Sequence, residues 1–291
     1  MKISRNLAWG SVLLLPSVIF LSVFTFFPTA ATIWDSLHST PRGRRAAVWV
    51  GPDNYTAMMA DPVFIKALAN NLVYAAVTIP LSVGLALGMA LLVNAHIRWK
   101  GFARLAFFTP TILPMIAVAN IWTFIYAPDY GLLDRFLGLL GNGGTNWLGS
   151  PDTALPALMA IAVWKNAGFY MIFYLAGLQA IPPTLLEAAR LEGAGPWQRL
   201  RRVILPLLGP TTLFVVINAV INAFSLVDHV VALTRGGPDN ATQLLLHYIY
   251  QMAFNYWDTA YAATLSVVLL AVLAVIALVQ FALADRRTFY R

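Results

Sequence analysis

Cysteine is absent from the 291 residues, which excludes disulfides, thiolate metal sites and a cysteine nucleophile. No phosphate loop of the form GxxxxGK(S/T) occurs, so the chain does not bind ATP by that mechanism and its energy must come from a partner or an ion gradient. Charge is also scarce, at 11% of residues against about a quarter in a soluble domain. The hydrophobic share is 59%. Together these describe a polytopic, all-α integral membrane protein. The formal net charge of +7 would suit nucleic acid only if the basic residues shared an exposed polar face with base-reading or stacking groups. Here they sit between apolar runs. No nucleophile and base pair points to an enzyme, and His96 and His247 lack a partner at metal-ligand spacing.

Six apolar runs are long enough to cross a bilayer. They lie at about Trp9 to Ile33, Leu68 to Asn94, Leu105 to Tyr126, Ala154 to Leu178, Leu207 to Leu233 and Ala262 to Ala284. The first exceeds a signal-peptide core and is taken as a retained helix, although Thr29, Ala30 and Ala31 are small enough for cleavage. Trp34 to Lys66 is a polar loop with room for a short helix. Six spans put both termini on one side. Lys2, Arg5, Arg98, Lys100, Arg104, Arg190, Arg199, Arg201, Arg202, Arg286, Arg287 and Arg291 share that side, which the positive-inside rule makes cytoplasmic. Arg42, Arg44, Arg45 and Lys66 dissent, in a loop that also holds Asp35, Asp53 and Asp61. The other outer loops, Ala127 to Thr153 and Thr234 to Tyr261, suit an external partner. Asn70, Asn71 and Asn94 bracket the second span as interfacial caps.

Between the fourth and fifth spans runs IPPTLLEAARLEGAGPWQRLRRVILPLLGP, Ile181 to Pro210. Pro182 and Pro183 suit a helix start, Gly193 to Gly195 a sharp turn, and Pro196 a second helix ended by Pro206 and Pro210. Such a short elbow cannot fold alone and should rest on its own bundle or on a partner.

Glu187, Ala188, Ala189, then Gly193 and Ala194, then Leu205, Pro206 and Leu207 resemble the EAA loop of binding-protein-dependent ABC importer permeases. Glu192 stands where that family usually has Asp, and Leu200 where it has Phe or a similar large residue; both changes are mild. The resemblance extends over roughly Leu68 to Ala284, through NNLVYAAVTIPLSVGLALGMALLVN, FYLAGLQAIP, LTRGGPDNAT, YIYQMAF and YAATLSVVLL. It is nearest the carbohydrate-uptake branch, and within it the glycerol-3-phosphate (glycerophosphodiester) permease subunit. This resemblance implies the type I ABC importer permease fold in the bacterial inner membrane. Residues 1–66 would form the first helix and outer loop, 67–284 the permease domain with its coupling loop at 181–210, and 285–291 a cytoplasmic tail. It also implies that Glu187, Ala188, Ala189, Glu192, Gly193, Ala194 and Pro206 couple to a separate ATPase. The implied partners are a second permease subunit in a heterodimer, two ATPase subunits that hold ATP and Mg, an extracytoplasmic solute-binding protein and membrane lipid. The chain itself would carry no cofactor and no catalytic residue.

Two polar features interrupt the spans. Asn218, Asn222, Ser225 and His229 recur at intervals of four, three and four, one helical stripe, with Asp228 beside it. Intramembrane polar groups face a bundle interior or an aqueous path, so the stripe is a candidate lining for a substrate pathway, with helix-to-helix hydrogen bonding as the competing reading. Lys165 breaks the fourth span beside Asn166, with Tyr170 one turn further on. It either meets an anionic or hydroxyl-rich solute or pairs with Asp228 for structure. A different class also stands open: an ion-coupled secondary transporter relaying protons through Asp228, His229 and Lys165.

Overall fold

The computed structural model describes residues 2–41, 43, 45–95, 99–141 and 143–285. Arg42, Arg44, His96, Arg98, Arg286, Arg287 and Arg291, which enter the orientation and metal arguments, lie outside the described residues. Among those residues there are helices and turns and no strand. Among the described residues five helices are long and apolar enough to cross a membrane: Val12–Asp35, Pro62–Asn94, Pro151–Ala180, Gly209–Leu233 and Thr259–Ala282. A bent pair, Lys100–Ile112 and Met115–Ile125, makes six if it counts as one span. The chain divides into two units, residues 62–248 with 272–291 and residues 1–61 with 249–271.

In the larger unit the two longest helices are α4 (Pro62–Asn94) and α8 (Pro151–Ala180). Water does not drive helices together inside a bilayer, so close approach of small side chains must. On α4 the buried positions are Phe64, Ala67, Asn71, Tyr74, Ala75, Thr78, Ser82, Ala86, Ala90 and Val93, a stripe at helical spacing built largely of alanine and hydroxyl residues. α8 answers with Ala154, Ala157, Ala162, Ala167 and Gly168. α4 begins at Pro62, so Lys66 is helical rather than part of the loop; proline suits a first turn because its missing N–H has no helical partner there. Lys66 lies 3.7 Å from the Asp239 carboxylate, which offsets its charge.

The third span departs most from expectation. It is not one straight helix from Leu105 to Tyr126 but α5 (Lys100–Ile112) and α6 (Met115–Ile125), bent by 102°. Pro114 causes the break: it has no N–H for the carbonyl four residues back, and it drives Leu113 into extended backbone, ψ 134°. The fifth span also breaks, into α12 (Gly209–Ser225) and α13 (Asp228–Leu233), with Leu226 extended between them.

The connection from α8 to α12 is the expected elbow. Its first helix, α9 (Pro183–Leu191), ends where Gly193 adopts φ +80°. The Ala194 N–H then bonds the Ala189 carbonyl at 2.9 Å and the Gly193 N–H the Arg190 carbonyl at 3.0 Å. Those two bonds form a Schellman stop, which needs a residue that tolerates the left-handed region. α10 (Pro196–Arg199) opens on proline, and the Gly195 N–H is held by Gln198 Oε1 at 3.2 Å. Pro206 does not end this helix. A π turn at Leu200–Ile204 carries it through Pro206 to Leu207, and Pro210 sits in the first turn of α12.

In the smaller unit α1 (Lys2–Leu21), a π turn at Ser22–Phe26 and α2 (Phe27–Asp35) follow one another, and α3 (Asp53–Met59) is the short helix of the loop. Asn54 Nδ2 donates to the Ser36 and His38 carbonyls at 2.9 and 2.8 Å, fastening α3 to the end of α2. The last helix, Thr259–Asp285, is capped by Asp258, whose Oδ1 accepts the Tyr261 N–H at 3.2 Å and the Thr40 hydroxyl.

Candidate functional site

Where α4, α6, α8, α12 and α13 face one another, a partly open cavity of about 60 Å³ remains. Its polar lining includes Tyr74, Thr78 and Ser82 from α4, Lys165, Asn166 and Tyr170 from α8, and Asn222, Asp228 and His229 from α12 and α13. Six of the eight pathway candidates therefore meet here. Asn218 and Ser225 do not: Asn218 Nδ2 turns back to the Phe214 carbonyl at 2.8 Å, and Ser225 is exposed at the end of α12. The expected stripe is cut by the extended residue Leu226, which resets the helical phase before His229.

The polar groups are paired across helices. Asn222 Nδ2 donates to the Tyr170 hydroxyl at 2.8 Å. Tyr74 Oη and His229 Nε2 lie 2.9 Å apart with their rings stacked at 5.6 Å, the donor being set by the imidazole tautomer. Both Tyr74 and His229 are 3% exposed, so neither side chain would be tolerated there without that bond. Thr78 returns its hydroxyl to the Tyr74 carbonyl at 2.7 Å. Tyr74, Thr78 and Ser82 were not among the sequence candidates. Their spacing of four, on a helix with no other hydroxyl run, was the available signal.

Lys165 does not pair with Asp228. Its Nζ lies 2.6 Å from the Leu113 carbonyl, 3.1 Å from that of Pro110 and 3.4 Å from that of Thr111. The carbonyls freed by the broken third span take the place of the carboxylate. The cavity thus offers aromatic faces, amides, hydroxyls and an imidazole. Groups of this kind can hydrogen-bond to and stack against a hydroxyl-rich molecule. Among the described residues no three of His, Cys, Asp and Glu gather as a metal site.

Asn70 and Asn71 are not caps of their own helix, for they lie two turns inside α4. Asn71 is 1% exposed and bridges two other helices: Nδ2 donates to the Ala223 carbonyl at 3.2 Å, and Oδ1 accepts the Leu245 N–H, at the start of α14 (Leu245–Tyr250), at 3.1 Å. Asn70 Nδ2 donates to the Asn240 and Gln243 carbonyls at 2.9 and 3.1 Å. Asn94 does end α4.

The elbow is half packed. Leu186 and Ile204 rest against a core that includes Ala86, Ala90, Val93, Tyr174, Leu178 and Leu208. Ala189 is buried, while Glu187, Ala188, Glu192, Gly193 and Pro206 are exposed and Ala194 is half-buried. Leu191 and Trp197 project with 90% and 69% of their surface free, so the elbow keeps an uncovered apolar face. Outside the spans, Asp134 on α7 (Leu132–Gly138) accepts backbone N–H groups from Gly144, Thr145 and Asp129 at 2.9 to 3.0 Å, and those bonds, Gly144 first, hold its carboxyl below the usual range. Burial pushes the His247 imidazole down.

Comparison with known proteins gives one family. Residues 55–290 match the model described as "Binding-protein-dependent transport system inner membrane component". The sulfoquinovosyl glycerol transport system permease protein SmoG of Agrobacterium fabrum is 34% identical over 261 residues, 89% of this chain and 85% of that protein. The trehalose/maltose transport system permease protein MalF of Thermococcus litoralis is 34% identical over 87% of this chain and 85% of its own. The sn-glycerol-3-phosphate transport system permease protein UgpA of Agrobacterium fabrum is 30% identical over 96% and 95%. Among solved structures, a bacterial ABC transporter involved in the import of the acidic polysaccharide alginate superposes with a TM-score of 0.84 at 23% identity, covering 99% of this chain and 98% of that one.

Proposed function

The chain belongs to the family of binding-protein-dependent transport system inner membrane components and is a permease subunit of a sugar-type ABC importer, not an enzyme; we propose that it pairs with a second permease to form the solute pathway. ATP and Mg would be held by two separate ATPase subunits, and an extracytoplasmic binding protein would deliver the solute to the outer loops. Both termini would then be cytoplasmic. The proton-relay reading of Asp228, His229 and Lys165 gives way to this family assignment, and the pairing of Lys165 with backbone carbonyls removes one of its three members.

The observation that carries the coupling role is the elbow. Its inner side is fixed to α4 and α8 through Leu186 and Ile204, and its outer side leaves Glu187, Leu191 and Trp197 uncovered. An apolar face rimmed by charge in that position is built to receive a partner. Closing of the ATPase dimer would push the elbow, and the helices anchored to it would carry the motion to the cavity, which opens alternately to the binding protein and the cytoplasm.

The cargo divides by charge. Relatives named for sn-glycerol-3-phosphate support glycerol-3-phosphate or glycerophosphodiesters, and those named for trehalose/maltose support uncharged sugars. Uptake of radiolabelled examples of each class is measured with the complete system in proteoliposomes, with and without ATP and binding protein, for wild type and Glu187→Lys. ATP-dependent uptake of one class, lost in Glu187→Lys, is the expected result. Uptake that follows a proton gradient without ATP would sink the proposal.

A further inference from the structure

Pro114 leaves a specific deficit at the end of α5. The Pro110 carbonyl would normally accept the N–H of residue 114, and proline has none. The Thr111 carbonyl loses its partner as well, because the chain turns by 102° before Met115 starts α6. Orphaned carbonyls in a bilayer are costly unless a donor is brought to them. The donor is Lys165 Nζ, which reaches the carbonyls of Leu113, Pro110 and Thr111 at 2.6, 3.1 and 3.4 Å. An ammonium carries three N–H groups, and all three are used.

The attachment runs both ways. Thr111 Oγ1 donates to the Lys165 carbonyl at 3.0 Å. One turn along α8, Gly168 lies so close to α5 that a Cβ would stand 2.0 Å from the Phe107 carbonyl. A positive charge at a helix C-terminus also complements the dipole of α5. Beyond the bend, Met115 lines the cavity and α6 packs against α13, which holds Asp228 and His229. The angle of the break therefore sets one wall of the cavity.

We propose that Lys165 is a positioning residue: it pins the bend in the third span to α8, and it does not bind the solute. The proposal rests on the transport function above, but its first readout is independent of transport. Because the chain has no cysteine, spin labels can be placed at Phe102→Cys on α5 and Phe124→Cys on α6, both exposed, in the assembled transporter. Lys165→Met is expected to broaden the label-to-label distance distribution, and Lys165→Arg, which keeps a charged donor, to restore it. In proteoliposomes Lys165→Met should lower the maximal uptake rate at least about tenfold, the scale of a misplaced wall, while Lys165→Arg recovers most of it. KM should stay within about twofold, since no solute contact is lost. An unchanged distance distribution overturns the proposal, and so does a raised KM at unchanged maximal rate, which would make Lys165 a solute ligand. If Lys165→Met does not assemble, Thr111→Val removes only the reciprocal bond. It should broaden the distribution to a smaller degree, and an unaltered distribution in that variant also refutes the pin. Failure of ATP-dependent uptake in wild type would strike the transport reading and leave the distance measurement standing.

Discussion

Replacing Asn71 by Leu should destabilise the protein far more than the same change at its neighbour Asn70. Asn71 is buried, and its amide serves the last turn of α12 and the first turn of α14 at once, through the Ala223 carbonyl and the Leu245 N–H. Both are helix-end groups with no partner of their own, and leucine fills the volume but offers neither donor nor acceptor. Each group left unpaired in the interior costs about 1–3 kcal/mol, so with two such groups Asn71→Leu should cost roughly 2–6 kcal/mol. Asn70 also makes two bonds, to the Asn240 and Gln243 carbonyls, but it is half-buried and water can replace it. Its loss should stay near 1 kcal/mol, about the net value of an accessible hydrogen bond. Thermal melting of the purified complex, followed by loss of the assembled peak in size-exclusion chromatography, separates the two. Asn71→Leu should melt roughly 4–24 °C lower, by the usual conversion of about 2–4 °C per kcal/mol, and Asn70→Leu only a few degrees lower. Equal shifts would refute the bridging argument.

Two further perturbations probe other parts of the chain. Gly193→Val should weaken the elbow by about 1–2 kcal/mol, because φ +80° excludes a β-branched side chain; amide exchange at Ala194 should rise and ATP-dependent uptake should fall, whereas unchanged exchange would mean that the turn does not depend on glycine. Asp134 has a folded-state pKa held down by backbone N–H groups, so it contributes stability that is fully present above its ordinary value near 4 and is lost as pH falls through the lower folded value. Exchange of the Gly144 and Thr145 amides should accelerate in that acid window and, at neutral pH, in Asp134→Ala; exchange unaffected by either change would contradict the assignment.

Much of this was legible because proline and glycine act locally. Pro183 and Pro196 start helices and Gly193 ends one, as their backbone chemistry requires, so the elbow could be drawn from sequence. What escaped were bonds from side chains to distant backbone. Lys165 announces that it needs a partner, and an acidic residue is the partner a sequence displays. The three carbonyls it actually meets have no letter of their own. Asn71 misled in the same way: its amide does cap, but caps helices that come about 150 and 170 residues later, a relation no local pattern encodes. The break after Ser225 had no marker either, since Leu226 and Val227 are ordinary apolar residues, yet Leu226 takes up extended backbone and Val227 leaves the helix at ψ 0°.

The placement of the elbow bears on how motion could reach the cavity. Leu186 and Ile204 press on Ala86, Ala90, Val93, Tyr174 and Leu178, which belong to α4 and α8. The same two helices carry Ser82 and Tyr170 into the cavity. From Ser82 to Ala90, and from Tyr170 to Leu178, is eight residues of unbroken helix, about 12 Å at 1.5 Å per residue. No loop intervenes to absorb a displacement. A rigid connection alone transmits motion without choosing between two states, and choice requires an element with two arrangements. The long helices α4 and α8 pack along small-residue stripes and offer no such freedom. The bent third span has no continuous helical ladder at its break, where hydrogen bonds to a single ammonium hold the angle. On the proposed role of Lys165, a push delivered through α8 would reach the cavity wall at that pin.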